Sequence, residues 1–386
     1  MAPVPAEISL RVVESIGAID AARWDACAGA ANPFVSHAFL LALEESGCIG
    51  GRTGWHARHV VAEDARGDTL ACAPLYLKGH SQGEYVFDHG WAEAWQRAGG
   101  RYYPKLLCAV PFSPVPGTRL LLRDPADDAL RAAFARGLVA LADEAGVSSL
   151  HANFCTPEDA EAFRAAGMLL RTGFQFHWQN RGYGSFEDFL GALSHSKRKA
   201  IRKERREVAA AGIELVTLTG DALEPSHWDA FFEFYLSTSD RKWGHPYLNR
   251  AFFDRLHETL RERVVLVLAR HEGEWVAGAL NMLGEDALYG RNWGAREAFK
   301  HLHFEACYYR ALDFAIGRGL SRVEAGAQGE HKLQRGYLPV ATRSAHWLRD
   351  RGFRAAVDDF LRRETPAIEG AMAELGAHSP FKAAAE

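Results

Sequence analysis

The residues best suited to chemistry gather in the second half of the chain. Glu330, His331 and Lys332 follow a strand-like run and a Gly-rich turn, Ala325-Gly326-Ala327-Gln328-Gly329. Residues just past a strand end are where open α/β folds place their sites. Histidine titrates near neutrality unaided, whereas a glutamate needs burial to do so, and either His331 or Glu330 is a candidate proton acceptor. Lys332 and Arg335 offer positive charge to an anionic substrate or a phosphate, plain solvent exposure being the bland alternative. Arg291-Asn292-Trp293 sets a guanidinium fork beside an amide, which suits a carboxylate, and Trp293 adds an apolar wall. His301, His303 and Glu305 invite a metal reading. An i, i+2 pair on a helix sends its rings to different faces, however, unlike the i, i+4 pair of zinc sites, so no metal is expected. These histidines stand instead at a helix N-terminus, whose unpaired N–H groups attract anions.

An alternation of strands and helices must position these groups. Residues 287–290 read as a strand, 303–316 as a helix closed by Gly317 and Gly319, and 322–325 and 342–347 as further strands. Upstream, the runs 264–270 and 275–283 flank a turn at 271–274. The first half uses the same grammar, with 58–62 and 69–77 around the polar turn 63–68 and a strand at 84–88. A helix follows at 127–145, where Leu130, Phe134, Leu138 and Leu141 keep a 3.6-residue period. A strand at 148–154, a helix at 157–166 and a strand at 172–179 complete the half. Two echoes link the halves: 85–92 aligns with 287–294, and Phe-Gln-Phe-His-Trp at 174–178 aligns with Arg-Ser-Ala-His-Trp at 343–347. A duplicated fold is expected, two unrelated α/β domains being the alternative, with boundaries at 1–184, 185–245 and 246–386.

The middle segment is the most biased. Seven Lys/Arg stand against one Glu within 197–206, and Leu193, Ile201 and Val208 share one helical face. A basic linker helix is expected over 194–210, followed by an aromatic-rich helix over 224–238 and a lid at 240–246. Globally the charge balances, with 45 Lys+Arg against 49 Asp+Glu, so an anion site must be local. A hydrophobic share of 48% excludes a disordered chain. Six cysteines without a CxxC pair exclude a zinc ribbon or a disulfide framework and suit a reducing cytoplasm. The N-terminal residues lack the pattern of a signal peptide, and the apolar runs are strand-sized, so a cytoplasmic protein without a membrane span is expected.

Ser-His-Ser-Lys-Arg-Lys-Ala-Ile-Arg-Lys-Glu at 194–204, Arg-Asn-Trp-Gly-Ala at 291–295, and Ala-Gln-Gly-Glu-His-Lys at 327–332 with Arg-Gly-Tyr-Leu-Pro at 335–339 carry a resemblance. They resemble the bacterial FemAB-like N-acyltransferases, the peptidoglycan biosynthesis/recognition proteins of the GNAT superfamily, over roughly 11–363. The resemblance implies an α/β fold with mixed sheets, built as two tandem GNAT-like domains joined by the basic helix. It implies transfer of an acyl or aminoacyl group from acyl-CoA or aminoacyl-tRNA to the amine of a small molecule or peptide, by direct attack. A non-catalytic module that recognises cell-wall peptide or tRNA is the alternative.

On this resemblance, Glu330 or His331 accepts the proton of the attacking amine, and Gly290 distorts a central strand so that a backbone N–H faces the carbonyl. Arg291, Asn292, Trp293, Gln328, Lys332, Arg335 and Tyr337 hold substrate. In the first half His89, Trp91, Tyr103 and Lys105 occupy the matching region, ahead of a Pro-rich cleft loop at 111–116. His301, His303, Lys197, Arg198 and Arg202 hold the donor, tRNA reaching the basic helix. One departure stands out. No Gln/Arg-x-x-Gly-x-Gly/Ala loop precedes the helix of either half, and Glu-Ala-Phe-Lys-His-Leu at 297–302 takes its place, which weakens coenzyme A as the donor.

Overall fold

Alternating hydrophobic periods here build two mixed α/β units. The computed structural model describes residues 8–242, 246–326 and 329–382. One unit comprises residues 1–173 with 341–369, and the other 174–340 with 370–386.

In the first unit, strands Trp55–Ala57, Leu75–Lys78 and Lys105–Cys108 run antiparallel in succession, and Lys105–Cys108 then pairs in parallel with Ser149–Cys155. A parallel pair needs a crossover, and helix Asp128–Glu144 supplies it. Asp127 caps that helix by accepting from the Leu130 N–H, and its face of Leu130, Phe134, Ala135 and Leu138 packs on Leu106, Leu150 and Ala152. The antiparallel neighbour of Ser149–Cys155 is the later half of Leu338–Leu348, with His346 opposite His151. A small sheet of Ser9–Val13, His59–Glu63, Thr69–Ala73 and Leu121–Leu122 completes the unit.

The second unit repeats this plan. Ile213–Thr219, Val264–His271, Glu274–Leu283 and Ala287–Ala295 are antiparallel in turn. Val264 to Ala269 are all buried, as a strand covered on both faces requires. Ala287–Ala295 pairs in parallel with Arg322–Glu324 after a helical crossover from Leu302 to Gly317. Within that crossover Glu305–Tyr309 forms a π-helical turn. The antiparallel neighbour of Arg322–Glu324 is the end of Leu169–Gln179, with His177 opposite Glu324.

Each unit therefore takes its last strand from the other half of the sequence. That exchange explains why the division departs from the expected boundaries: 341–369 pack with the first unit, and 185–245 with the second. The basic segment forms helix His195–Ala210 and belongs to the second unit, where Ile201 and Val208 are buried in separate clusters.

Two local expectations fail. Residues 84–88 form no strand: Tyr85 adopts φ 60 and the chain bends to turn Glu84 and Asp88 inward, so 85–92 is not the counterpart of 287–294. The strand expected at 287–290 runs on to Ala295, so Arg291, Asn292 and Trp293 lie within it. Among the described residues no helix is long and apolar enough to cross a membrane.

Candidate active site

Register defines the site in the second unit. Asn281 pairs with Gly290, but Leu280 pairs with Asn292, so Arg291 is an extra residue and the strand bulges there. Asn281 is buried and donates to the Val265 carbonyl at 3.1 Å, tying the opposite strand at the same level. On the other side the parallel pairing ends at Tyr289 and Glu324. Beyond it Ala287–Ala295 continues while the neighbouring chain turns at Gly326, φ 78, so a wedge opens at the bulge. Gly290 permits the approach: a Cβ there would stand 3.4 Å from the Glu324 carbonyl oxygen.

Aromatic and charged side chains surround the wedge. His303 packs on Trp293, Tyr308 and His331, with ring centroids 5.3, 5.4 and 5.9 Å apart. His331 Nε2 lies 2.8 Å from the Tyr308 hydroxyl. Sequence reasoning gave Trp293 to the substrate, His303 to the donor and His331 to proton transfer, and the fold brings the three rings into one cluster. Glu330 and His331 both stand on the exposed start of the Glu330–Arg335 turn.

Three other expected substrate residues face inward. Lys332 is buried, burial pushes its ammonium down to about 8, and it donates to the Gly326 carbonyl at 2.9 Å. Arg335 lies over the Phe304 ring and donates to both Glu204 oxygens at 2.9 and 3.0 Å, and Glu204 also accepts from Tyr309. Tyr337 is fully buried against Tyr308. Lys332 and Arg335 end on partners within their own unit and Tyr337 is buried among aromatic rings, so the three shape the wall. Gln328 lies outside the described residues, as do Trp243, Gly244 and His245 of the expected lid, whose first residues belong to helix Pro225–Lys242.

Of the expected donor residues, Arg198 and Arg202 line a basic groove of about 430 Å³ with His195, Lys199 and Arg206. Lys197 does not line it. His301 is the N-cap residue of the helical crossover, at φ 65, and its Nε2 lies 3.3 Å from Glu207.

In the first unit the expected substrate residues separate. Lys105 is buried and held by Asp88 at 2.5 Å, Glu84 at 2.8 Å and Ser81 at 2.7 Å, so it binds its own chain and not a ligand. Burial pushes Glu84 up to about 7 and neighbouring Lys78 down to about 7. Trp91 is buried edge-on against His346, and Tyr103 bonds Ser81, while His89 is exposed beside Phe87. The strand ends corresponding to the wedge are filled. The Pro-rich loop packs Phe112 and Val115 inward, Gly117 pairs with Cys155, and buried Arg119 donates to the Asn153 and Val115 carbonyls, both at 2.7 Å.

Sequence reasoning passed over Glu204, Asn281, Glu324 and His177. Glu204 was visible as the lone acid in a basic run. Glu324 was the one carboxylate in a run expected to be a buried strand.

Residues 15–383 match the family described as FemAB-like, peptidoglycan biosynthesis/recognition. The chain belongs to that family. Among solved structures it is similar to FemX, at 11% identity and TM-score 0.56, covering 88% of this chain and 98% of FemX. It is also similar to L-PGS from Bacillus licheniformis, at 11% identity and TM-score 0.52, covering 84% and 96% of the two chains. Identities this low speak for the fold alone, here two mixed α/β units of similar plan. No curated protein matches the sequence.

Proposed function

We propose that this FemAB-like chain is an N-acyltransferase that joins an acyl or aminoacyl group to a substrate amine in the wedge of its second unit. The observation carrying this reading is the bulge at Arg291 beside the point where the parallel strands part, after Tyr289 and Glu324. A bulge breaks the even spacing of the ladder and re-aims the backbone, and a backbone N–H directed into the wedge can receive the negative charge that develops on a carbonyl under attack. The amine attacks directly, the C–N bond forming as the bond to the donor's sulfur or oxygen breaks. Trp293, His303 and His331 line the approach, and Arg291 and Asn292 flank the carbonyl. The filled strand ends of the first unit favour the second as the donor-binding unit.

The basic groove along His195–Ala210 supports aminoacyl-tRNA as donor, since four Lys/Arg around one cavity suit successive phosphates. The family's description suggests a cell-wall peptide as bearer of the amine. The test is to incubate the protein with acetyl coenzyme A or alanyl-tRNA and a lysine-containing peptide, and to follow the peptide's mass. Mass gain is expected, larger with alanyl-tRNA. Saturable binding of tRNA or peptide with no mass gain would establish the recognition module in its place.

A further inference from the structure

We infer that Glu324, at the floor of the wedge, is the general base that takes a proton from the attacking amine. The inference rests on the acyltransferase reading above and names a residue for it.

Strand alternation sets the direction of the side chain. Val323 and Leu288 enter the core beneath helix Arg310–Gly317, so Glu324 projects to the opposite face of the sheet with Tyr289 and His177. Glu324 is 4% exposed. Its Oε1 accepts from Arg322 at 2.9 Å, while among the described residues Oε2 has no hydrogen-bond partner. A buried carboxylate oxygen left unpaired among the described residues is costly, and it is suited to a partner such as the ammonium of a bound substrate. The oxygen is near an entrance, since Gly290, Ala325 and Gly326 beside it are partly exposed.

The neighbouring charges are few and identifiable. Arg322 comes from the same strand and also contacts Asp286, and the Tyr289 hydroxyl lies 3.3 Å from Arg322 on the parallel strand. His177 Nε2 stands 3.9 Å from Oε2 on the antiparallel strand, and Lys332 from the following turn acts on His177. Burial outweighs Arg322 and pushes Glu324 up to about 7, and burial keeps His177 neutral, down at about 4. A carboxylate in that range is basic enough to accept a proton and still about half ionised at neutral pH.

The first unit serves as an internal control. Its register places His151 where the second unit has Glu324, and His346 where it has His177. There both His151 nitrogens are satisfied, Nδ1 by His346 at 2.7 Å and Nε2 by Ser149 at 2.8 Å. The duplicated position is closed in one unit and unsatisfied in the other.

The proton balance is simple. An ammonium gives one proton to Glu324 Oε2, the free amine attacks the acyl carbon, and the second nitrogen proton leaves with the departing thiol or hydroxyl. Glu324 then returns its proton to solvent.

The test measures kcat/KM against pH for wild type, Glu324→Gln, Glu324→Asp and His331→Ala, with alanyl-tRNA or acetyl coenzyme A and a lysine-containing peptide. Wild type is expected to rise through pH ~7 and level off, because the base form fills above that value. Glu324→Gln should lose about 100-fold or more and lack that limb, and Glu324→Asp should keep the limb at a lower rate. Glu324→Asp also serves if Glu324→Gln fails to fold by circular dichroism. An unchanged limb in Glu324→Gln, or its loss in His331→Ala alone, overturns the assignment while the acyltransferase reading stands. No transfer by wild type with either donor overturns that reading itself, and this inference with it.

Discussion

Lys105 illustrates how burial changes what a side chain can do. In sequence it is a lysine beside two tyrosines, open to a substrate anion. In the fold it is fully buried and neutralises Glu84 and Asp88, while Lys78 lies over the Trp55 ring at 3.6 Å. Removing one partner of such a pair leaves uncompensated charge in a low dielectric, at about 3–5 kcal/mol. Lys105→Met is therefore expected to lower unfolding free energy by about that amount in urea titrations. A variant with native stability but a raised KM would restore Lys105 to the substrate. The converse case is Glu324, whose chemistry depends on having no complete set of internal partners. No neighbour in sequence distinguishes the two, because each needs strand register to say what lies opposite.

At the scale of elements, the basic helix His195–Ala210 has two faces with different tasks. Its groove face gathers Arg198, Lys199, Arg202 and Arg206. Its inner face sends Glu204 to Arg335 and Tyr309, and Arg205 to Glu305 at 3.0 Å and Asp313 at 2.7 Å. The helix thereby holds both the π-helical turn and the Glu330–Arg335 turn that border the wedge. Close packing fixes the other border, strand Ala287–Ala295. A Cβ at Gly294 would stand 2.0 Å from the Phe234 carbonyl oxygen of helix Pro225–Lys242, a backbone atom that cannot step aside cheaply. Gly294→Ala should cost about 1–3 kcal/mol or more through overpacking, and lower the melting temperature measured by calorimetry. A melting temperature equal to wild type would refute the tight contact. The helices and strands themselves were largely legible, since Leu130, Phe134 and Leu138 keep a helical period and 264–269 is a continuous apolar run. The bulge at Arg291 was not, because an extra residue in a strand is defined only by its partner's count.

Across the whole molecule, the exchange of last strands makes the two halves depend on each other. A fragment of residues 1–184 retains Ser149–Cys155 but lacks residues 343–348, which pair with it in the intact chain. An exposed edge on a strand that is buried along its whole length in the intact chain favours aggregation. Expressed alone, that fragment is expected to be insoluble or to lack near-ultraviolet circular dichroism, and a soluble fragment with native-like spectra would argue against the exchange. The echo of Phe-Gln-Phe-His-Trp and Arg-Ser-Ala-His-Trp already held half of this result. Both stretches are strands, each histidine stands opposite a titratable residue of the neighbouring strand, His177 opposite Glu324 and His346 opposite His151, and Gln175 and Ser344 lie within hydrogen-bond distance of them. By itself the sequence determined the α/β class and the repeat of strand and helix grammar in two halves, because periodicity and local motifs are properties of neighbours along the chain. Which strand joins which unit, which charges are cancelled and which carboxylate is left wanting a proton were decided only by tertiary structure. Pairing and burial depend on residues more than a hundred positions apart, as His151 and His346 are.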